Sequence, residues 1–267
     1  MQNILSALAV LGGMGLLFGI LLGIASKVFY VRKDERIEKV LACLPGANCG
    51  GCGCAGCSDL AAKIVSGDAA VNACPVNSNE NYEKIAQVMG VSADESEPMC
   101  AVVKCRGAAG IAEDRYIYEG IDDCHAANRL GGGYKFCRFA CLGLGSCVKV
   151  CKFGAIEVKD GVAVVNSDKC TACGQCIKEC PKNVIGIIPK RAADIVKCNS
   201  EEKGVNVTKI CRAGCIGCGL CAKVCPKDAI KIENNLAVID YSLCDGCGEC
   251  ALKCPRGSIG GIQGNID

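Results

Sequence analysis

The sequence predicts an α+β protein with a single N-terminal transmembrane helix, a small helical domain rich in cysteine, and two tandem copies of a small cysteine-bound unit. Three observations predict it. Ile4 to Ser26 holds no charged residue, 27 of the 267 residues are cysteine, and a block of those cysteines recurs 74 residues later. Such cysteine usage belongs to disulfide scaffolds or metal proteins. The count is odd and most thiols stand two or three residues apart, spacing that suits chelation better than pairing. A secreted disulfide knot is therefore excluded. With 4% aromatic residues and no Trp, bound metal must supply organisation that a large apolar core would otherwise give.

Residues 1–28 read as the membrane helix. At about 1.5 Å per residue, the run from Ile4 to Ser26 covers a hydrocarbon core of about 30 Å with some tilt. A cleaved signal peptide would open on basic residues, whereas only Gln2 and Asn3 precede the run. The positive charges follow it, at Lys27, Arg32, Lys33 and Arg36. That order puts the rest of the chain on the cytoplasmic side of the cytoplasmic membrane. Gly15, Gly19 and Gly23 line one face for close packing of another helix, or are simply the glycine common in membrane helices.

Residues 29–90 form the first metal-binding domain. After a charged linker, Lys33 to Lys39, comes Cys49-x2-Cys52-x4-Cys57-x16-Cys74, closed by Pro75. Glycines between the thiols let the backbone wrap a cluster with its amide N–H groups facing the sulfurs. Leu60, Ala61, Ile64 and Val65 have helical spacing, so a short helix links the third and fourth ligands. A zinc knuckle is the rival; the x4 gap and the Cys-Pro ending favour [4Fe–4S]. Cys43 and Cys54 fall outside the pattern.

Cys137, Cys141, Cys147, Cys151, Cys170, Cys173, Cys176 and Cys180 return as Cys211, Cys215, Cys221, Cys225, Cys244, Cys247, Cys250 and Cys254. Eight positions in register mark an internal duplication. It places ferredoxin-like domains at 135–190 and 209–267, a connector at 191–208, and a connecting segment with extra cysteines at 91–134. The second copy reads Cys215-x2-Cys218-x2-Cys221-x3-Cys225-Pro, then Cys244-x2-Cys247-x2-Cys250-x3-Cys254-Pro. This is the bacterial 2[4Fe–4S] run, in which the fourth cysteine serves the other cluster. One cluster therefore takes Cys215, Cys218, Cys221 and Cys254, and its neighbour takes Cys225, Cys244, Cys247 and Cys250. Ala229 to Ile232 and Leu236 to Ile239 read as short strands turned at Asn234-Asn235.

In the first copy Cys151, Cys170, Cys173 and Cys176 make a regular set, but Leu144 stands where the second copy has Cys218. Cys141, Cys147 and Cys180 then lack a fourth ligand. Cys137 is the local candidate; the alternative is a three-thiol site with a [3Fe–4S] cluster or a non-protein ligand. Five clusters leave over Cys43, Cys54, Cys100, Cys105, Cys124, Cys198 and Cys211. Of these, Cys105, Cys124, Cys198 and Cys211 either form a sixth quartet or are buried free thiols. His125 reads as a surface residue, and Asp94, Glu95 and Glu97 as a solvated linker. No P-loop, dinucleotide turn or Ser-His-Asp set occurs, and Gly131-Gly132-Gly133 lacks a phosphate-binding context. No catalytic residue, nicotinamide or flavin site is expected, and nothing points to nucleic acid. The formal charge of +2 ignores the thiolates. Five clusters at about −2 each bring it to roughly −8, so the near-neutral pI does not describe partners.

The order of membrane helix, Cys49–Cys74 quartet and ferredoxin units resembles the B subunit of the Rnf complex, an ion-translocating ferredoxin:NAD⁺ oxidoreductase. The likeness covers almost the whole chain, including Leu44-Pro45-Gly46 and Cys141-Leu-Gly-Leu-Gly-Ser-Cys147. Cys54 departs from it, standing where many relatives have an ordinary residue. Two doubled ferredoxin units match the family's long form. The resemblance implies a protein that accepts electrons from reduced soluble ferredoxin and relays them to partner subunits, which hold flavins, reduce NAD⁺ and move Na⁺ or H⁺. Lys182, Lys190, Arg191, Lys197, Lys203, Lys209 and Arg212 form a basic stretch. Lys190 and Arg191 within it are docking candidates for an acidic ferredoxin, or only offset cluster charge. Two other readings stand beside this one. The first quartet also resembles corrinoid iron–sulfur proteins of methyl transfer, but no stretch remains to build a corrinoid domain. A zinc-binding membrane scaffold is the second, and the crossover Cys-Pro runs argue against it.

Overall fold

The computed structural model describes residues 2–28, 34–92 and 97–261, with side chains from Val10 onward. Arg32, Lys33, Asp94 and Glu95 lie outside the described residues. Helix α1 (Gln2–Val28) is continuous, and its stretch Val10–Val28 is long and apolar enough to cross a membrane, with none of it buried. A Cβ on Gly15, Gly19 or Gly23 would meet nothing within 4 Å, so the small-residue face stands open.

Three helices build the first domain. Asp34 caps α2 (Glu35–Ala42) by accepting from the Arg36 N–H at 2.9 Å. Helix α3 (Cys57–Ser66) begins on the third ligand of the quartet, as the spacing predicts, and ends at Gly67, whose φ of 86° suits glycine alone. Ser78 caps α4 (Asn79–Met89), which ends at Gly90. Val40, Leu60, Ala61, Ile64 and Ile85 pack in one core with Cys57 and Cys74. Ligand set and apolar core are therefore one body.

Two units of matching element order follow. The first comprises β1 (Met99–Val103), α5 (Cys124–Arg129), α6 (Ser146–Lys149), β2 (Ile156–Lys159), β3 (Val162–Val165), α7 (Gln175–Glu179) and β4 (Ile185–Pro189). The second comprises β5 (Asp194–Val196), α8 (Gly204–Ile210), α9 (Leu220–Val224), β6 (Ile230–Glu233), β7 (Leu236–Ile239), α10 (Glu249–Lys253) and β8 (Ile259–Gly261). β2–β3 and β6–β7 are antiparallel hairpins in register Ile156↔Val165 and Ile230↔Ile239. Their turns, Asp160-Gly161 and Asn234-Asn235, have φ of 46° and 74°, and of 47° and 64°. Two consecutive left-handed residues make the tight hairpin turn that matches strand twist, and Asp, Asn and Gly tolerate it.

The outer strand pairs begin further back in the chain. β1 pairs with β4 from Met99↔Pro189 to Val103↔Ile185, and β5 pairs with β8. The paired strands of the two units therefore reach from 99 to 189 and from 194 to 261, where spacing expected units at 135–190 and 209–267. The segments 91–134 and 191–208, expected as connectors, supply the first strands of these pairs. The closing strand needs partners for its backbone groups, and the strand that provides them lies far back in the chain. Residues 104–145, the long segment between β1 and α6, tie the units together. Glu113 N–H donates to the Ile210 carbonyl at 2.9 Å, Arg212 N–H to Ile111 at 2.9 Å, and Arg106 Nη1 to Gly257 at 2.9 Å. Lys135, only 3% exposed, anchors this segment by donating to the Gly107 carbonyl at 2.7 Å and the Gly161 carbonyl at 3.0 Å.

Candidate iron–sulfur sites

Two small hollows of equal size are lined by four thiols each. Cys151, Cys170, Cys173 and Cys176 line one; Cys215, Cys218, Cys221 and the crossover residue Cys254 line the other. Backbone N–H groups aim at the sulfurs. Ala155 donates to Cys151 Sγ at 3.4 Å and its repeat equivalent Ala229 to Cys225 Sγ at 3.4 Å. Ala101 donates to Cys170 Sγ at 3.3 Å and Ser258 to Cys254 Sγ at 3.2 Å. Such bonds favour thiolate and tune a bound cluster. Burial pushes the free Cys176 thiol up to about 11, and Cys170, Cys173 and Cys151 beside it add to the shift. Cys225, Cys244 and Cys250 share the second unit's core, while Cys247, like Cys218, is exposed at its rim. In the first domain burial raises the Cys74 thiol, with Cys52 and Cys49 contributing, and Cys57 packs in the same core.

A third hollow of the same size is lined by Cys105, Cys137, Cys198 and Cys211. Burial raises all of Cys137, Cys198 and Cys211, Cys198 to about 12, and Cys105 adds repulsion to each. A sixth set of thiols is thus brought together, with Cys137 where spacing alone put Cys124. Cys124 lies elsewhere, next to Cys147, whose thiol burial pushes to about 12 with Cys141, Cys124 and Cys180 contributing. Cys124 N–H donates to Ser146 Oγ at 2.7 Å, and Ser146 Oγ donates to Asp123 Oδ2 at 3.0 Å. These bonds pin the start of α5 beside Cys147. Leu144 packs on the same small core as Cys124. Leu144 stands where the second copy has Cys218, and the thiol nearest that place comes from Cys124, far back in the chain. Spacing grouped Cys137 with Cys141, Cys147 and Cys180, and Cys124 with Cys105; the structure sets Cys137 beside Cys105 and Cys124 beside Cys147. One signal was available: Cys124 precedes Cys198 by 74 residues, as Cys137 precedes Cys211. The repeat relates these thiols but not the direction in which the segment turns each.

Cys54 Sγ accepts from Lys63 Nζ at 3.7 Å, Cys43 packs on the first domain's core, and Cys100 is fully buried near Cys170. His125 pairs with Glu179 at 3.2 Å. The basic stretch is not one free face. Arg191 pairs with Glu97 and donates to the carbonyls of Tyr241 at 2.6 Å and Cys244 at 3.2 Å, spanning the two units. Lys182 Nζ donates to the Gly132 carbonyl at 2.9 Å. Among the described residues no three Cys, His, Asp or Glu converge as for a single metal ion. Thiols lining a hollow suit a cubane cluster, whereas one zinc ion draws its sulfurs to about 2.3 Å.

A membrane-length helix followed by duplicated units with cysteine-lined hollows defines a membrane-associated, multi-cluster [4Fe–4S] electron-transfer protein. Comparisons with known proteins agree. Residues 44–76 match the FeS cluster family, 214–258 the 4Fe-4S dicluster domain, and 163–186 and 141–155 two 4Fe-4S binding domains. The chain is 47% identical over 242 residues to the B subunit of the Na⁺-translocating ferredoxin:NAD⁺ oxidoreductase complex of Acetobacterium woodii, covering 90% of this chain and 73% of the relative. It is 42% identical to the B subunit of the ion-translocating oxidoreductase complex of Methanosarcina acetivorans, over 89% and 90% of the two chains. Identity is 44% to the B subunit of the proton-translocating ferredoxin:NAD⁺ oxidoreductase complex of Clostridium ljungdahlii, over 91% and 86%. The chain belongs to the B-subunit family of these ion-translocating oxidoreductases, the Rnf complex.

Proposed function

We propose that the chain is the electron-relay component of such a complex, taking electrons from reduced soluble ferredoxin and handing them to partner subunits. Six [4Fe–4S] clusters carry the relay. Their ligand sets are Cys49, Cys52, Cys57 and Cys74; Cys151, Cys170, Cys173 and Cys176; Cys124, Cys141, Cys147 and Cys180; Cys105, Cys137, Cys198 and Cys211; Cys215, Cys218, Cys221 and Cys254; and Cys225, Cys244, Cys247 and Cys250. The observation that carries this reading is adjacency. Cys176 acts on Cys147, Cys141 N–H donates to Cys105 Sγ at 3.4 Å, Cys215 acts on Cys198, and Cys221 acts on Cys250. From the Cys151 set onward each set borders the next, and Gln175 Nε2 donating to the Cys49 carbonyl at 2.8 Å brings the first set beside the Cys151 set, which is what short electron hops require. The clusters supply the redox chemistry; the chain supplies spacing, burial and N–H donors that set their potentials.

Helix α1 anchors the relay in lipid, and the basic residues after it keep the clusters on the cytoplasmic side. Of the two docking candidates, Lys190 is the one left to meet an acidic ferredoxin, since Arg191 is engaged within the chain. Relatives of nearly equal identity, 47% and 44%, are named for Na⁺ and for protons, so kinship does not choose the ion. The test is iron, acid-labile sulfide and zinc per chain after anaerobic purification of the full chain in detergent. About 24 irons with matching sulfide are expected, at four per set. Stoichiometric zinc with little iron would overturn the relay.

A further inference from the structure

The first domain meets the first ferredoxin unit through the backbone of two ligand loops. A Cβ built on Gly51 would stand 2.8 Å from the Cys173 carbonyl oxygen, 3.1 Å from its Cα and 3.2 Å from its Cβ. No side chain fits there. Gly50 and Gly53 have φ of 71° and 79°, which explains them as turn residues, but Gly51 is not left-handed. Its glycine therefore answers to the close approach of Cys173 and not to its own backbone. Two side chains from the ferredoxin unit hold the contact. Gln175 Nε2 donates to the Cys49 carbonyl at 2.8 Å, and Lys152 Nζ donates to the Asn48 carbonyl at 2.9 Å. The internal repeat supplies a control. At the offset of 74 residues, Lys152 becomes Pro226, Gln175 becomes Glu249 and Cys173 becomes Cys247. Neither Pro226 nor an ionised Glu249 donates a side-chain hydrogen bond, and Cys247 is exposed. The donors are thus particular to the copy that receives the first domain.

We propose that Gly51, Gln175 and Lys152 are positioning residues that set the electron hop between the Cys49 set and the Cys151 set. The inference rests on the relay reading above. The step moves one electron: one site is oxidised by one, the other is reduced by one, and no bond or proton changes. Close backbone contact keeps that hop short, and the two donors stop the domains from swinging apart.

The experiment is EPR on the full chain, purified anaerobically and fully reduced, with iron counted on the same sample. In the unaltered chain the cluster of the Cys49 set is expected to be spin-coupled to its neighbour and to show no isolated signal. Gly51→Val, with iron unchanged, is expected to release one sharp, slowly relaxing signal of about one spin per chain, from a single [4Fe–4S]⁺ cluster. An unchanged spectrum at full iron overturns the proposal, as does an isolated signal already present before substitution. Should Gly51→Val lose iron, the doubly altered Lys152→Met, Gln175→Leu chain carries the test, because neither residue is a ligand. There the isolated signal supports the clamp, and an unchanged coupled spectrum overturns it. A starting protein without iron would instead overturn the relay itself.

Discussion

Pairwise removal of cysteines decides the ligand sets, because thiols that share a cluster are not additive. The perturbations are Cys105→Ala with Cys137→Ala, and Cys105→Ala with Cys124→Ala. Alanine leaves no donor, and no fifth thiol lines the Cys105 hollow to replace the one lost. Removing one ligand from a set releases about four irons, and removing a second from the same set releases no more. Cys105 and Cys137 line one hollow, so that pair should leave about 20 of about 24 irons. Cys124 stands beside Cys147 instead, so Cys105 with Cys124 should leave about 16. Iron and sulfide are measured on anaerobically purified full chain, with each single variant as a control near 20, by the same four irons per set. The reverse order, about 16 for the first pair and about 20 for the second, would restore the spacing-based sets and refute the assignment.

Leu144→Cys should return about four irons to the Cys124→Ala chain while adding none to the unaltered chain, since it restores the ferredoxin ligand position; no recovery would count against Cys124 as the substitute. Lys135→Met leaves the Gly107 and Gly161 carbonyls without their donor, at a cost of roughly 2–6 kcal/mol, about 1–3 for each unsatisfied acceptor. Cluster loss is irreversible, so this is read as faster bleaching in anaerobic guanidinium, and an unchanged rate would sink it. Burial holds the free thiols of Cys147 and Cys198 at about 12 and Cys141 at about 11. These raised values mean the cluster-free chain keeps those protons at neutral pH and releases them on loading, so loading strengthens as pH rises. Reconstitution should be fuller at about pH 8.5 than at about pH 6.5, and the opposite order would refute the sign. Lys190→Glu should raise the KM for ferredoxin several-fold at low salt, with the difference shrinking at high salt. Equal KM values would remove Lys190 from the docking face.

The duplication, the grouping of Cys151 with Cys170, Cys173 and Cys176, the grouping of Cys254 with Cys215, Cys218 and Cys221, and the hairpin turn at Asn234-Asn235 were legible in the sequence. Each depends on residues close in the chain, where Cys-x2-Cys spacing and left-handed turn residues act locally. Helix α1 was legible for the same reason: an uncharged run of sufficient length needs no tertiary partner to be read. What only the tertiary structure decided concerns residues 104–145. Whether Cys124 or Cys137 stands near Leu144 depends on where that segment folds, and it is held by Lys135, by Ser146 and by backbone bonds to the second unit. The place of β1 and β5 was not legible because they pair with strands far along the chain. Arg191 looked like a free surface charge because its acceptors, the Tyr241 and Cys244 carbonyls, are 50 and 53 residues away. Spacing reports which thiols share a loop; only packing reports which loops share a cluster.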